Sequence, residues 1–366
     1  MQIKEILKAM LQNDASDLHL KVGVPPVYRL HGDLVPSQAP PLSREDLDTV
    51  LEELLTEEQL REFASSHELD CAVGVRQLGR FRVNAAFQRG TSTVTIRAIP
   101  ISIKSIHALN LPPVIGELSL RSRGLILVTG ITGSGKSTTL ASMVEHINAR
   151  KKVKLVTIED PIEYLFRDSE AFITQREVGT DTLSFSAGLR HVLRQDPDVV
   201  MIGEIRDVET MEIALKASNT GHLVLATLHT TNAVQTMQRV LSFYPIHQHR
   251  EVRSLLAENL QGVISLRLVQ RADGKGRVPA SEILVSTEAI REYLHSPDTL
   301  DAISELIEEG TVQYGMQTFD QSLMDLYRDG IITERQAMEN ATNSSEFALK
   351  LRGIESASDR SWARSE

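Results

Sequence analysis

The spacing of apolar residues changes several times along the chain, and each change predicts a different element. Ile3, Ile6, Leu7, Met10 and Leu11 recur at helical spacing, so the chain opens on an amphipathic helix. SDLHLKVG (16–23) then alternates. VYRLHGDLVP (27–36) reads as a hairpin turning at His31-Gly32-Asp33. Ser43 and Asp46 are placed to cap a helix bearing Leu47, Val50, Leu51, Leu54 and Leu55. In RFRVNAAFQ, Phe81, Val83, Ala85 and Phe87 alternate with Arg80, Arg82 and Asn84. After Arg89-Gly90, Val94, Ile96 and Ala98 alternate with Thr93, Thr95 and Arg97. This predicts a second hairpin with one apolar face and one face carrying arginines. Residues 1–100 therefore read as a small α+β domain.

NLPP at 110–113 marks a linker, taken as 101–115. Beyond it come nearly all-apolar runs at 125–129, 153–158, 199–202 and 223–228, as expected of buried parallel strands. Helical patterns over Ser137–Ala149 and Ser184–Gln195 separate some of them. Strands alternating with helices predict a doubly wound α/β core over 116–285 with a mainly parallel sheet. From 286 to 354 the spacing is helical, with Leu300, Ile303, Leu306 and Ile307 before Gly310, and Phe319, Leu323 and Leu326 before Gly330. The polar stretch 355–366, which holds the lone tryptophan, Trp362, is expected to be disordered.

Composition narrows the functional classes. A chain of 366 residues holds two or three domains, and 41% hydrophobic residues supply a sizeable core. Lys and Arg number 39 against 49 Asp and Glu, a net charge of −10, which argues against nonspecific nucleic-acid binding. The single cysteine, Cys71, excludes an internal disulfide and a cysteine-only zinc site, and is read as a small buried hydrophobe. MQIKEILKAMLQNDAS is not patterned as a signal peptide, and no window approaches the ~20 apolar residues of a membrane span. A soluble, cytoplasmic protein is expected.

The chemistry concentrates after the apolar strands. GITGSGKST starts at Gly130, between a strand and a helix, and Gly130, Gly135, Lys136 and Ser137 fit the phosphate-loop pattern G-x-x-x-x-G-K-[ST]. Glycines let backbone N–H groups approach phosphates, and the helix dipole favours negative charge. Gly130, Thr132, Gly133, Ser134, Gly135, Lys136, Ser137 and Thr138 are thus the nucleotide-binding candidates. Lys136 is placed for the β- and γ-phosphates and Ser137 for Mg²⁺. The next strand ends in TIEDPIEY, delivering Glu159, Asp160 and Glu163 to the edge where α/β sheets bind ligands. In DPDVVMIGEIRD the apolar run ends in Gly203 and Glu204, where many such ATPases place an aspartate on Mg²⁺. Gly203 is expected to leave room beside the phosphates. His222 and His229 bracket strand 223–228, with His229 the better γ-phosphate sensor and His222 the weaker candidate.

GITGSGKSTT, TIEDPIEY, QREVG (175–179), LRQDPDVVMIGEIRD and TGHLVLATLHT resemble, in order, the signature boxes of the secretion ATPase superfamily. These are hexameric motors of type II and type IV secretion and of type IV pili. SDLHL and VGVPP near the amino terminus fit as well. The resemblance implies an N-terminal PAS-like domain, a RecA-like P-loop core and C-terminal helices. Within the superfamily the chain is most similar to the pilus retraction type. It starts directly at the PAS-like domain, lacks the cysteines of a metal-binding insert, and carries YGMQTFDQSLMDLYRDGIIT. It departs from the retraction pattern in one helix: AIRNLIRE-like sequences are replaced by AISELIEEG, with Ser304, Glu305 and Glu308 at the altered positions.

The resemblance implies Glu163 as the residue that orients or deprotonates water, Glu204 as the Walker B glutamate near Mg²⁺, and His222 and His229 as the histidine box. It implies charge-stabilising arginines from the N-terminal domain, with Arg82 and Arg97 favoured. It further implies ATP and Mg²⁺ as ligands, a homohexamer peripheral to the inner face of the cytoplasmic membrane, an integral inner-membrane platform partner and, for an accessory type, a paralogous retraction ATPase. Assembly or secretion motors, and a regulator that binds nucleotide without turnover, are the alternatives.

Overall fold

The computed structural model describes residues 2–30, 32–100, 102–296, 300 and 302–353. Trp362, the expected disordered tail, and His31 of the predicted turn lie outside them. The chain divides into two compact units, residues 1–101 with Glu163–Leu165, and residues 102–162 with 166–366.

In the first unit, β1 (Asp17–Lys21), β2 (Val27–Leu30), β3 (Asp33–Pro36), β4 (Glu68–Val75), β5 (Gly79–Gln88) and β6 (Thr91–Ala98) form one antiparallel sheet in the order β3-β2-β1-β6-β5-β4. Helices Ile3–Gln12, Arg44–Leu54 and Glu57–Ser66 complete the unit, and Leu7, Val50, Leu18, Phe81, Val83 and Ile96 from helices and strands share its core. Ser43 and Asp46 make a reciprocal capping box at the second helix. Arg82 and Arg97 stand directly opposite each other across β5 and β6. Cys71 is half-buried rather than buried. It lies on β4, the edge strand, which has a neighbour on only one side.

In the second unit, β7 (Gly124–Thr129), β8 (Lys154–Glu159), β9 (Phe172–Glu177), β10 (Val199–Ile202), β11 (Leu223–Leu228), β12 (Leu260–Gln270) and β13 (Arg277–Val285) form a seven-stranded sheet in the order β13-β12-β7-β11-β10-β8-β9. Every pairing is parallel except β12 with β13. All residues of β7, β10 and β11 are buried, as strands covered on both faces require. Helices follow β7, β10 and β11 as Lys136–Asn148, Val208–Asn219 and Ala233–Ser242. This is the mainly parallel α/β core expected.

The β12–β13 hairpin carries a smaller hydrophobic cluster. Val269, Val278 and Ala280 pack with Phe319, Leu323, Ile332, Ala337 and Phe347 of the carboxyl-terminal helices. The Arg267 guanidinium lies 3.8 Å from the Phe319 ring centroid and donates to Asn340 O at 2.9 Å. Among the described residues, no helix is long and apolar enough to cross a membrane.

Candidate active site

The site is built at the carboxyl edge of the parallel strands. β7 ends at Thr129, whose buried hydroxyl donates to Ser265 Oγ at 2.9 Å and ties the strand to β12. Gly130 follows with φ of 143°. A Cβ there would lie 2.7 Å from Leu266 O, so only glycine lets the chain turn this close to β12. Thr132 and Gly133 form the exposed crest of the loop. Gly135, at φ of 100°, is the N-cap of helix Lys136–Asn148. No side chain caps that helix and its first turn holds no acid. By contrast, Asp207 and Asn232 cap the helices that follow β10 and β11. The orphan N–H groups of a helix start bind anions well, and here Lys136, Ser137 and Thr138 form the first turn.

Two further features fit a phosphate cradle. Ser134 Oγ is buried with no hydrogen-bond partner. Lys136 Nζ donates to Gly130 O at 2.7 Å and Ile131 O at 3.0 Å, so the ammonium is folded into the loop. Burial pushes the Lys136 pKa below its ordinary value, against the opposing pull of Glu204. The donor set therefore fits a polyphosphate.

Glu204 lies one residue past the Gly203 that closes β10. Gly203 N donates to Ile158 O at 2.8 Å and Ile205 N to Thr227 O at 3.0 Å, bracketing Glu204 between β8 and β11. His229 Nε2 lies 3.0 Å from its carboxylate, and Arg206 pairs with the other oxygen. Arg206 also reaches Asp160 at 3.5 Å. Burial works against the Glu204 charge, but the hydrogen bonds and charges of Arg206 and His229 outweigh it and hold the carboxyl below its ordinary range. Glu204 is thus an ionised carboxylate at neutral pH, suitable for a cation.

Gly203 serves a different purpose from the one expected. A Cβ there would sit 3.3 Å from Glu159 Cα and Ile158 O and 3.6 Å from Phe185, so β8 and the helix that starts at Phe185 claim the space. His222 stands where its place in the sequence puts it, at the far end of the strand from the phosphate loop. It precedes β11, its carbonyl accepts from Gly124 N at the start of β7, and its Nδ1 lies 3.0 Å from Ala217 O. The length of a strand separates it from the phosphate loop, roughly 16 Å. His229 stands at the correct end, beside the Leu228–Thr129 pair.

Of the other candidates, Glu159 is buried and accepts from Thr157 Oγ1 at 2.6 Å and Gln175 Nε2 at 3.2 Å. Glu163 falls among the three residues grouped with the first unit. In that unit Arg97 Nε donates to Asp17 Oδ1 at 2.8 Å, and Arg82 Nε lies 3.8 Å from Asp70. Both guanidinium groups remain substantially exposed.

Nearly the whole chain is similar to known proteins. The family model described as "Type II/IV secretion system protein" matches residues 1–346. The chain belongs to the type II/IV secretion system protein family. Membership makes it a nucleotide-binding ATPase. Within this family it is 41% identical over 341 residues to the type IV pilus retraction ATPase PilT of Pseudomonas aeruginosa, covering 93% of this chain and 98% of PilT. It is 39% identical over 360 residues to the type IV pilus ATPase PilU of the same organism, covering 98% and 94%. The crystal structure of the pilus retraction motor PilT with bound ADP superposes with a TM-score of 0.88 at 42% identity, covering 94% of this chain and 98% of that one. The Legionella pneumophila ATPase DotB gives 0.78 at 27%, covering 96% of each chain.

Arg206 is a site residue that sequence pattern alone does not single out. Its signal is weak, a cation two residues beyond the strand-end glutamate. Only the turn after β10 brings it back onto Glu204 and Asp160.

Proposed function

We propose that this chain is a Mg²⁺-dependent ATPase that works as a homohexameric motor and powers type IV pilus retraction at the inner face of the cytoplasmic membrane, against an integral platform protein. The observation that carries the reading is the shared sheet edge. An uncapped helix start with Lys136 faces the same edge as a Glu204 carboxylate pinned by His229 and Arg206, in a chain similar to PilT nearly end to end.

The reaction is ATP and water to ADP and phosphate. Backbone N–H groups from Gly133 to Ser137 receive phosphate oxygens, and Lys136 exchanges its loop carbonyls for β- and γ-phosphate oxygens. The Ser137 hydroxyl and Glu204 are the residues that would hold Mg²⁺, which supplies charge withdrawal from the phosphate oxygens when bound. Glu163 takes the proton of the attacking water, or orients it. His229, hydrogen-bonded to Glu204, presents its ring beside the γ-phosphate. Arg82 and Arg97 supply positive charge as negative charge develops on the transferred group. Such fingers contribute about 10³-fold or more in rate.

A second reading, an accessory retraction ATPase, is favoured by the PilU similarity and by Ser304, Glu305 and Glu308 in helix Ile303–Glu309. Deletion in the host separates them. A principal retraction motor leaves cells with abundant surface pili and no twitching. Cells without pili would instead point to an assembly motor. Hyperpiliated cells that still twitch point to the accessory role.

A further inference from the structure

The box QREVG has no role in the chemistry above, yet its side chains are placed with care. In β9, Gln175 and Glu177 stand two residues apart and so share one face of the strand. β9 runs parallel to β8 with Thr157 beside Gln175 and Glu159 beside Glu177. Glu177 is 4% exposed. Its Oε2 accepts from Ile162 N at 3.1 Å. Gln175 Oε1 accepts from Phe166 N at 3.0 Å, and Gln175 Nε2 donates to Glu159 at 3.2 Å. The two side chains thus seize the loop after β8 at two points, immediately before Glu163 and just after Leu165. Between the anchors lie only Glu163, Tyr164 and Leu165, the three residues grouped with the first unit, while Ile162 and Phe166 stay with the second.

The base of this clamp is itself fixed. Glu177 N donates to Asp181 Oδ2 at 2.8 Å, and Asp181 N returns to Glu177 O at 2.8 Å. Val178 N donates to Glu159 O at 2.8 Å. A buried carboxylate and a carboxamide on a sheet strand are stiff supports. A loop that needed only covering would be served by apolar side chains, without the desolvation of a carboxylate.

We propose that Gln175 and Glu177 are positioning residues that set Glu163 for its encounter with the attacking water, acting through the backbone N–H groups of Ile162 and Phe166. The proposal rests on Glu163 acting on that water. Misplacing a catalytic group by about 1 Å costs as much as 10²-fold in rate. Glu177→Ala is therefore expected to lower kcat for MgATP by about 10- to 100-fold with KM within about threefold, because the phosphate loop is untouched. Glu177→Gln keeps an oxygen for Ile162 N–H and recovers most of kcat. Gln175→Met keeps the bulk, loses the acceptor for Phe166 and slows kcat in the same way. In single-turnover measurements, adding Glu177→Ala to Glu163→Gln costs nothing further, since the positioned group is already gone.

The outcomes separate the two readings. Glu163→Gln with unchanged turnover removes the role of Glu163 and the proposal with it. Glu163→Gln inactive while Glu177→Ala and Gln175→Met keep wild-type kcat overturns the positioning role alone. So does Glu177→Gln as slow as Glu177→Ala, with both folded by thermal melting and binding a fluorescent ADP analogue. If Glu177→Ala fails to fold, Gln175→Met and Glu177→Gln decide the question in its place.

Discussion

Glu204 is held by an imidazole on one oxygen and a guanidinium on the other. Removing it should therefore act differently from removing Glu163. Glu204→Ala is expected to weaken the dependence of nucleotide binding on Mg²⁺, while Glu163→Ala keeps MgATP binding and loses turnover. Titrating Mg²⁺ against binding and rate for both variants checks this, and identical profiles would contradict the division. A half-buried acid elsewhere in the sheet sets a pH dependence. Glu282 on β13 accepts from Ala233 N at 2.7 Å, at the start of the helix that follows His229. Burial pushes its pKa up to about 7, against the Ala233 bond and Arg267, with Asp320 adding to the rise. Because the folded pKa is raised, the stability contribution is full below the unfolded value near 4.5 and is lost as pH climbs through 7. Each tenfold difference in proton affinity between the folded and unfolded chain is worth about 1.4 kcal/mol. Glu282→Gln retains the acceptor without the charge. Its melting temperature is expected to gain on wild type as the pH is raised from about 5 to about 8, and a constant difference would count against this. At this scale the phosphate loop was legible because its residues are contiguous and its strand and helix are in register. Arg206 and Glu282 were not, since each meets its partner only through folding. His222 was legible as the weaker candidate, because it precedes β11 while His229 follows it.

The central strands β7, β8, β10 and β11 announced themselves as apolar runs, whereas β9 did not. FITQRE is an edge strand whose Gln175 and Glu177 grip a loop, so the feature that makes it useful also erases its hydrophobic pattern. The β12–β13 hairpin was equally hidden. Its Arg267 is engaged by Phe319 and Asn340, contacts that lie far along the chain. The helix that departs from the retraction pattern is tied to a later helix. Lys350, with a 9% exposed side chain, reaches Glu308 at 3.2 Å and Glu346 at 2.9 Å. The Glu308 carboxylate thereby fastens helix Ser344–Leu351 to helix Ile303–Glu309. Glu308→Arg would set two cations together, a local cost of about 1–3 kcal/mol given that Glu308 is partly solvated. Faster amide exchange over 344–351, with the P-loop helix unchanged, is the expected result. Unchanged protection there would show the ion pair to be incidental.

At the scale of the molecule, the proposed motor needs copies of itself. Full ATPase activity in a monomer at working concentration, measured by sedimentation alongside turnover, would rule out the ring. If Arg82 and Arg97 act on a neighbour's nucleotide, mixing Arg82→Ala/Arg97→Ala subunits with Glu163→Gln subunits should restore some of the activity that each lacks alone. No recovery in co-assembled rings would assign the arginines to their own subunit's nucleotide, and a ring of Arg82→Ala/Arg97→Ala subunits with wild-type turnover would place them outside the reaction. The grouping of Glu163–Leu165 with the first unit bears on how this protein can be taken apart. A gene truncated at the linker would yield an ATPase core that still owns Glu163 but has lost the residues with which that tripeptide is grouped. Such a fragment should bind nucleotide through an intact loop and turn it over poorly. No single cut in the chain therefore reproduces the two units, and a core exchanged between relatives at the linker carries Glu163–Leu165 with it.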